Sequence, residues 1–149
     1  MEDLMSKATT SRLSGPFWLA CAGVTGFLAV AIGAMGAHAL KAHLSAEAMA
    51  LYRTAWEYQT IHAITLTLGG LLALLFPQNA YFVRACMAWF SGILLFSGSL
   101  YAVSLGAPHS LVHITPFGGF SLMAGWILFA IGGLRLRKNA TVGYHHRSD

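Results

Sequence analysis

Residues Phe17 to Met35 read FWLACAGVTGFLAVAIGAM, nineteen positions without a charged side chain. At about 1.5 Å per residue the run makes a helix of roughly 28 Å, which matches the hydrocarbon core of a bilayer. It closes on Gly33-Ala34-Met35-Gly36-Ala37-His38-Ala39-Leu40, where the first ionisable side chain is a histidine. Gly26, Ala29, Val30, Gly33 and Ala37 recur three or four apart and line a thin strip that a second helix can approach closely. Pro16, after Ser14-Gly15, suits the first turn of such a helix. The run is long for a secretory signal, and three more apolar runs follow it, so an uncleaved first span is expected.

The composition points the same way. Only 9% of the 149 residues are charged and 56% are hydrophobic, whereas a soluble domain carries about 25% charged residues to cover its surface. The net charge of +4 forms no stripe for nucleic acid. Lys7, Arg12, Arg84, Arg135, Arg137 and Lys138 instead stand at the ends of apolar runs, where cations anchor membrane helices among lipids. Cys21 and Cys86 fall inside spans, as small apolar fillers rather than a disulfide framework.

In order along the chain, residues 1–15 read as a flexible cytoplasmic tail, 16–138 as a four-helix transmembrane domain, and 139–149 as a second flexible tail. The spans are expected at about 17–37, 58–76, 84–106 and 114–134. Between the first two, Ser45 can cap a helix with Glu47 in its first turn, and Met49, Tyr52, Trp56 and Gln59 recur on one side of it. That pattern predicts a short interfacial helix, with Tyr52, Trp56 and Tyr58 at headgroup level. Pro77-Gln78-Asn79 is a tight turn, Ala107-Pro108-His109 breaks the third run, and Pro116 opens the fourth. The expected fold is all-α: four transmembrane helices in a compact bundle plus the interfacial helix. Seven Lys and Arg lie in the tails and the Pro77 to Arg84 turn against Lys41 and Arg53 in the first connection, which predicts both termini in the cytoplasm.

Few residues carry chemistry. His38 and His62 sit where apolar helices meet the outer interface, and Tyr58 and Gln59 lie four and three before His62. Such a cluster can satisfy itself and the free carbonyls at helix ends, or bind a lipid, a quinone, a proton or a metal. A metal site wants three or four ligands and no third well-placed ligand is evident, so no metal is expected. Gly26, Gly33, Gly36, Gly98, Gly118, Gly119 and Gly125 are read as helix-packing positions, and His109 and His113 as interface residues. No carboxylate occurs within a span, which leaves no triad and names no catalytic residue. Gly118-Gly119 lacks the strand and the Lys of a phosphate loop, and no cofactor is implied.

Several motifs occur in a fixed order: Gly33 to Leu40, then Thr54-Ala55, Tyr58-Gln59 and His62-Ala63, then Leu95-Phe96-Ser97-Gly98-Ser99-Leu100-Tyr101, then Thr115-Pro116-Phe117-Gly118-Gly119 and Gly125-Trp126. Together they resemble the domain of unknown function 423 family of small four-helix membrane proteins, related to transmembrane protein 256. The resemblance covers roughly Phe17 to Leu136 and implies four helices in a bacterial inner membrane, with no activity, substrate or cofactor attached to the matched positions. Two functions are expected to compete. One is a structural or accessory role through packing with a second copy or a larger membrane partner. The other is a small-molecule binding or transport site at the outer ends of helices 1 and 2, built from His38, Tyr58, Gln59 and His62.

Overall fold

A computed structural model describes the backbone of residues 15–145 and the side chains through Leu136. The remaining residues of the expected tails lie outside the described residues. The chain folds into four long helices: α1 (Gly15–Met35), α2 (Ala46–Leu75), α3 (Ala80–Ser104) and α4 (Thr115–His145). A π-helical turn, Gly36–Leu40, prolongs α1, and a 3₁₀ turn, His109–Ile114, leads into α4. All four are long and apolar enough to cross a membrane.

Each helix packs on its neighbour in sequence, with α2 and α3 inside and α1 and α4 outside. In the most apolar stretches of α2 and α3, 44% and 39% of the residues are buried, against 22% in those of the outer helices. Polarity is inverted relative to a water-soluble bundle. Phe27, Val30 and Phe117 are 72%, 74% and 68% exposed, whereas Gln59 and His62 are each 4% exposed. Lipid is the solvent that rewards this arrangement, because it welcomes apolar side chains and leaves polar ones to find partners inside.

The interfacial helix expected between the first two spans does not form as a separate element. The amphipathic segment is instead the opening of α2, which runs unbroken for 30 residues, about 45 Å at 1.5 Å per residue. From Ala46 to Leu68 it contains neither glycine nor proline, so charged residues such as Arg53 and Glu57 alter its surroundings without interrupting its backbone. Ser45 caps it, its hydroxyl accepting from the Ala48 N–H at 3.2 Å. At the other end the bend through Pro77 to Asn79 is closed by the Asn79 N–H donating to the Phe76 carbonyl. Asn79 then caps α3 through the Tyr81 N–H and donates its amide to the Gly132 carbonyl of α4 at 2.9 Å. Gly106, at φ +99°, turns the chain after α3 in a conformation that side chains resist.

Two clusters, each built on a tryptophan, hold the helices together. Trp18 and Ala22 of α1 meet Leu66 of α2 and Cys86 of α3, and Trp89 and Ile93 of α3 meet Leu122 of α4. Small residues permit these approaches. A Cβ at Gly69 would meet Cys86 and Trp89, one at Gly70 the backbone of Trp18 and Leu19, one at Gly92 Leu122, and one at Gly118 the backbone of Phe96. Hydroxyls add links between α3 and α4: Ser91 to Ser121 at 3.0 Å, and Ser99 to Thr115 at 2.7 Å.

Candidate functional site

The polar core begins with three donors on α2 that face three carbonyls on α1. The Tyr52 hydroxyl donates to the Ile32 carbonyl at 2.7 Å, the Trp56 indole to that of Ala29 at 2.9 Å, and the Gln59 amide to that of Thr25 at 3.2 Å. Residues 52, 56 and 59 share one face of α2, and 25, 29 and 32 share the facing side of α1, each set spaced by three or four as helical geometry requires. The α1 strip is open enough for this because it is glycine and alanine. Gly33 lies under the Trp56 ring and Gly36 under the Tyr52 ring, so a Cβ at either would strike an aromatic.

Gln59 also reaches the other way. Its carbonyl oxygen accepts from the Tyr101 hydroxyl of α3 at 2.9 Å, so one amide ties α1, α2 and α3 together. The Tyr101 ring stands edge-on to Tyr52 with centroids 5.1 Å apart. His62, one turn deeper, links α2 to α4. Its Nδ1 lies 2.8 Å from the Tyr58 carbonyl and its Nε2 lies 3.3 Å from the Trp126 indole nitrogen. A carbonyl only accepts and an indole N–H only donates, which assigns a neutral imidazole with the proton on Nδ1 and the Nε2 lone pair turned to Trp126. Both ring nitrogens are therefore occupied.

The four candidate residues occupy different settings. Gln59 and His62 are buried and bonded, on neighbouring turns of α2. Tyr58 is 41% exposed and lays its ring against His62 and Phe96, with centroids at 6.1 and 4.4 Å. His38 lies in the π-helical turn with its side chain exposed. Among the described residues no three His, Cys, Asp or Glu side chains gather. Of the glycines read as packing positions, Gly33, Gly36, Gly118 and Gly125 sit against Trp56, Tyr52, Phe96 and Trp89, and Gly119 makes ordinary contact with Phe96. A Cβ at Gly26 or Gly98 would meet nothing within 4 Å.

Tyr52, Trp56, Thr25, Tyr101 and Trp126 belong to this polar core although sequence reasoning left them outside it. The recurrence of Tyr52, Trp56 and Gln59 on one face was the available signal, and its meaning changes once the facing strip is known to be glycine and alanine. Tyr52, expected at headgroup level, is 2% exposed. With its hydroxyl delivered to a backbone carbonyl, burial leaves it no orphaned donor.

The fold and its buried contacts define a small multi-pass membrane protein whose polar groups are directed inward at one another. Residues 32–119 match the family described as protein of unknown function (DUF423), and the chain belongs to that family. It is 41% identical over 122 residues to a UPF0382 membrane protein of Haemophilus influenzae, covering 81% of this chain and 96% of the relative. It is 36% identical over 126 residues to the UPF0382 inner membrane protein YgdD of Escherichia coli, covering 85% and 95%, and 32% identical over 112 residues to the UPF0382 membrane protein YwdK of Bacillus subtilis, covering 75% and 91%. No solved structure matches. The chain is thus a multi-pass protein of the bacterial inner membrane.

Proposed function

We propose that this protein is a non-catalytic accessory or structural component of the membrane, acting by packing against a second copy or a larger membrane-protein partner. The observation that carries this reading is that Gln59 and His62, the two buried candidates for chemistry, find their partners inside the fold. Gln59 uses both ends of its amide and His62 both ring nitrogens on partners within the fold. A general base needs an accessible lone pair within reach of a substrate proton, and neither residue offers one in this arrangement. Kinship with the relatives of transmembrane protein 256 belongs to the same proposal, supported by the order of the shared motifs.

Both termini are taken as cytoplasmic, supported by the seven-to-two distribution of Lys and Arg. A C-terminal fluorescent-protein fusion is expected to mature and fluoresce, and a C-terminal alkaline phosphatase fusion to stay inactive. The opposite pair of signals reverses the topology.

The functional reading is tested by native mass spectrometry after gentle release from the membrane, alongside cross-linking in the intact membrane. Wild type and the His38→Ala/His62→Ala variant are both expected to retain a second copy or a protein neighbour. A lone monomer with no cross-linked neighbour overturns the accessory role. A bound small molecule of fixed mass that vanishes in the double variant, with the fold intact, assigns a ligand site at the ends of α1 and α2 instead.

A further inference from the structure

We propose that the seam between α1 and α2 is a binding slot for one anionic phospholipid of the phosphatidylglycerol type. Its phosphate is held by Lys41 and Arg53, and one of its acyl chains lies along the open face of Gly26.

Two cavities occupy this seam and share Trp56. The first, of about 380 Å³, is lined by Lys41, Arg53, Glu57, Tyr52 and Met49 together with the glycines of the π-helical end of α1. The second, of about 270 Å³, is lined by Ala22, Gly26, Val30, Ala63 and Ile64 and by two threonines. The two threonines have their hydroxyl protons engaged within α2, Thr60 with the Trp56 carbonyl and Thr67 with that of Ala63. Numbering along both helices sets the order: the polar compartment faces the end of the span and the apolar one continues toward its middle. From Trp56 to Thr67 the apolar part extends about 16 Å at 1.5 Å per residue. A polar head followed by an apolar groove is the outline of a membrane lipid.

Each half of the slot selects for part of that lipid. The apolar half opens beside the lipid-facing Phe27 and Val30, and a Cβ on Gly26 would meet nothing within 4 Å. Left empty in a bilayer, its walls would forfeit dispersion contacts that an acyl chain supplies. The polar half sets two cations against one carboxylate. The net single positive charge matches the one negative charge of a phosphodiester, and a zwitterionic headgroup would bring a surplus ammonium. Arg53 offers the planar fork that grips phosphate oxygens, and Lys41 adds a point charge on a stem long enough to reach the interface. Glu57 accepts from the hydroxyls of a glycerol headgroup. Trp56 and Tyr52 have the amphipathic rings that favour this depth, although their polar atoms are already engaged with α1.

The experiment uses the full-length chain, delipidated in detergent and titrated separately with phosphatidylglycerol and phosphatidylethanolamine under native mass spectrometry. One bound phosphatidylglycerol is expected, held about tenfold more tightly than phosphatidylethanolamine, the size of effect that one charge-assisted contact confers. Lys41→Ala/Arg53→Ala is expected to abolish the preference. Gly26→Leu leaves every charge in place but fills the groove, and is expected to weaken both lipids by a similar factor. Because Gly26 has open space beside it, this variant is expected to keep the wild-type thermal midpoint. Equal occupancy by both lipids in all three proteins identifies annular lipid only and overturns the slot. A dimer abolished by Gly26→Leu without any lipid preference overturns it in favour of a second copy. Neither result depends on His38 or His62; annular lipid alone leaves the accessory role untouched and a dimer through Gly26 supports it, so the slot and the accessory role fail separately.

Discussion

Gly118→Leu is expected to destabilise the bundle by about 3 kcal/mol, the upper end of the usual penalty for overpacking, and to lower the SDS fraction needed for unfolding in mixed micelles. A Cβ at this position would fall on the backbone nitrogen and Cα of Phe96. No side-chain rotation relieves a contact with backbone, so α3 and α4 must separate along their whole interface, which includes the Ser99 to Thr115 and Ser91 to Ser121 links. The gain in helix propensity on removing a glycine offsets only about 1 kcal/mol of this. Gly98→Ala is the matched control, because its new methyl meets nothing within 4 Å. It is expected to be neutral or slightly stabilising. If both variants unfold together with wild type, backbone contact at Gly118 does not hold α3 to α4.

The second large effect is expected at Gln59. Gln59→Leu keeps the side-chain volume but strands the Tyr101 hydroxyl, which otherwise donates to the amide oxygen at 2.9 Å, and it releases the Thr25 carbonyl from its side-chain partner. An unsatisfied buried group costs roughly 1–3 kcal/mol, and hydrogen bonds between transmembrane helices range up to about 1.7 kcal/mol, so a loss of about 2 kcal/mol is expected. Removing the stranded donor as well makes the mechanism testable. Gln59→Leu/Tyr101→Phe is expected to be more stable than Gln59→Leu alone, as read from unfolding in the same micelles. Strict additivity of the two single changes would show that the amide and the phenol do not act as a pair.

The four spans were legible because their signal is one-dimensional: length, absence of charge, and cations at the ends. The unbroken course of α2 was not, because Arg53 and Glu57 resemble a boundary when hydropathy alone is read. A helix backbone is broken by proline rather than by charge, and no proline occurs between Ala46 and Leu75. The glycines illustrate a second limit. Gly98 and Gly118 look alike in sequence, yet one meets open space and the other the backbone of Phe96. Small residues permit close approach, but only the rotation of each helix about its axis decides which of them receives a neighbour.

The polar core was half legible for a related reason. Gln59 and His62 stand out as rare polar residues in an apolar run, but their partners are backbone carbonyls of Thr25 and Tyr58, a tyrosine 42 positions away from Gln59 and a tryptophan 64 positions away from His62. Backbone acceptors have no sequence signature. Aromatic donors near helix ends are usually read as interfacial anchors, which is how Tyr52 and Trp56 present themselves until the strip opposite them is seen to have no side chains in the way.

The pairing of each helix with its successor also governs how the chain is born. As α1 and α2 leave the ribosome they can close as a hairpin at once, with the bonds from Tyr52, Trp56 and Gln59 to α1 already available. The second half of the Gln59 amide waits for α3 to bring Tyr101, and His62 waits until α4 brings Trp126. In each of these five bonds the acceptor lies earlier in the chain than its donor, so synthesis from the N-terminus presents every acceptor before the side chain that fills it.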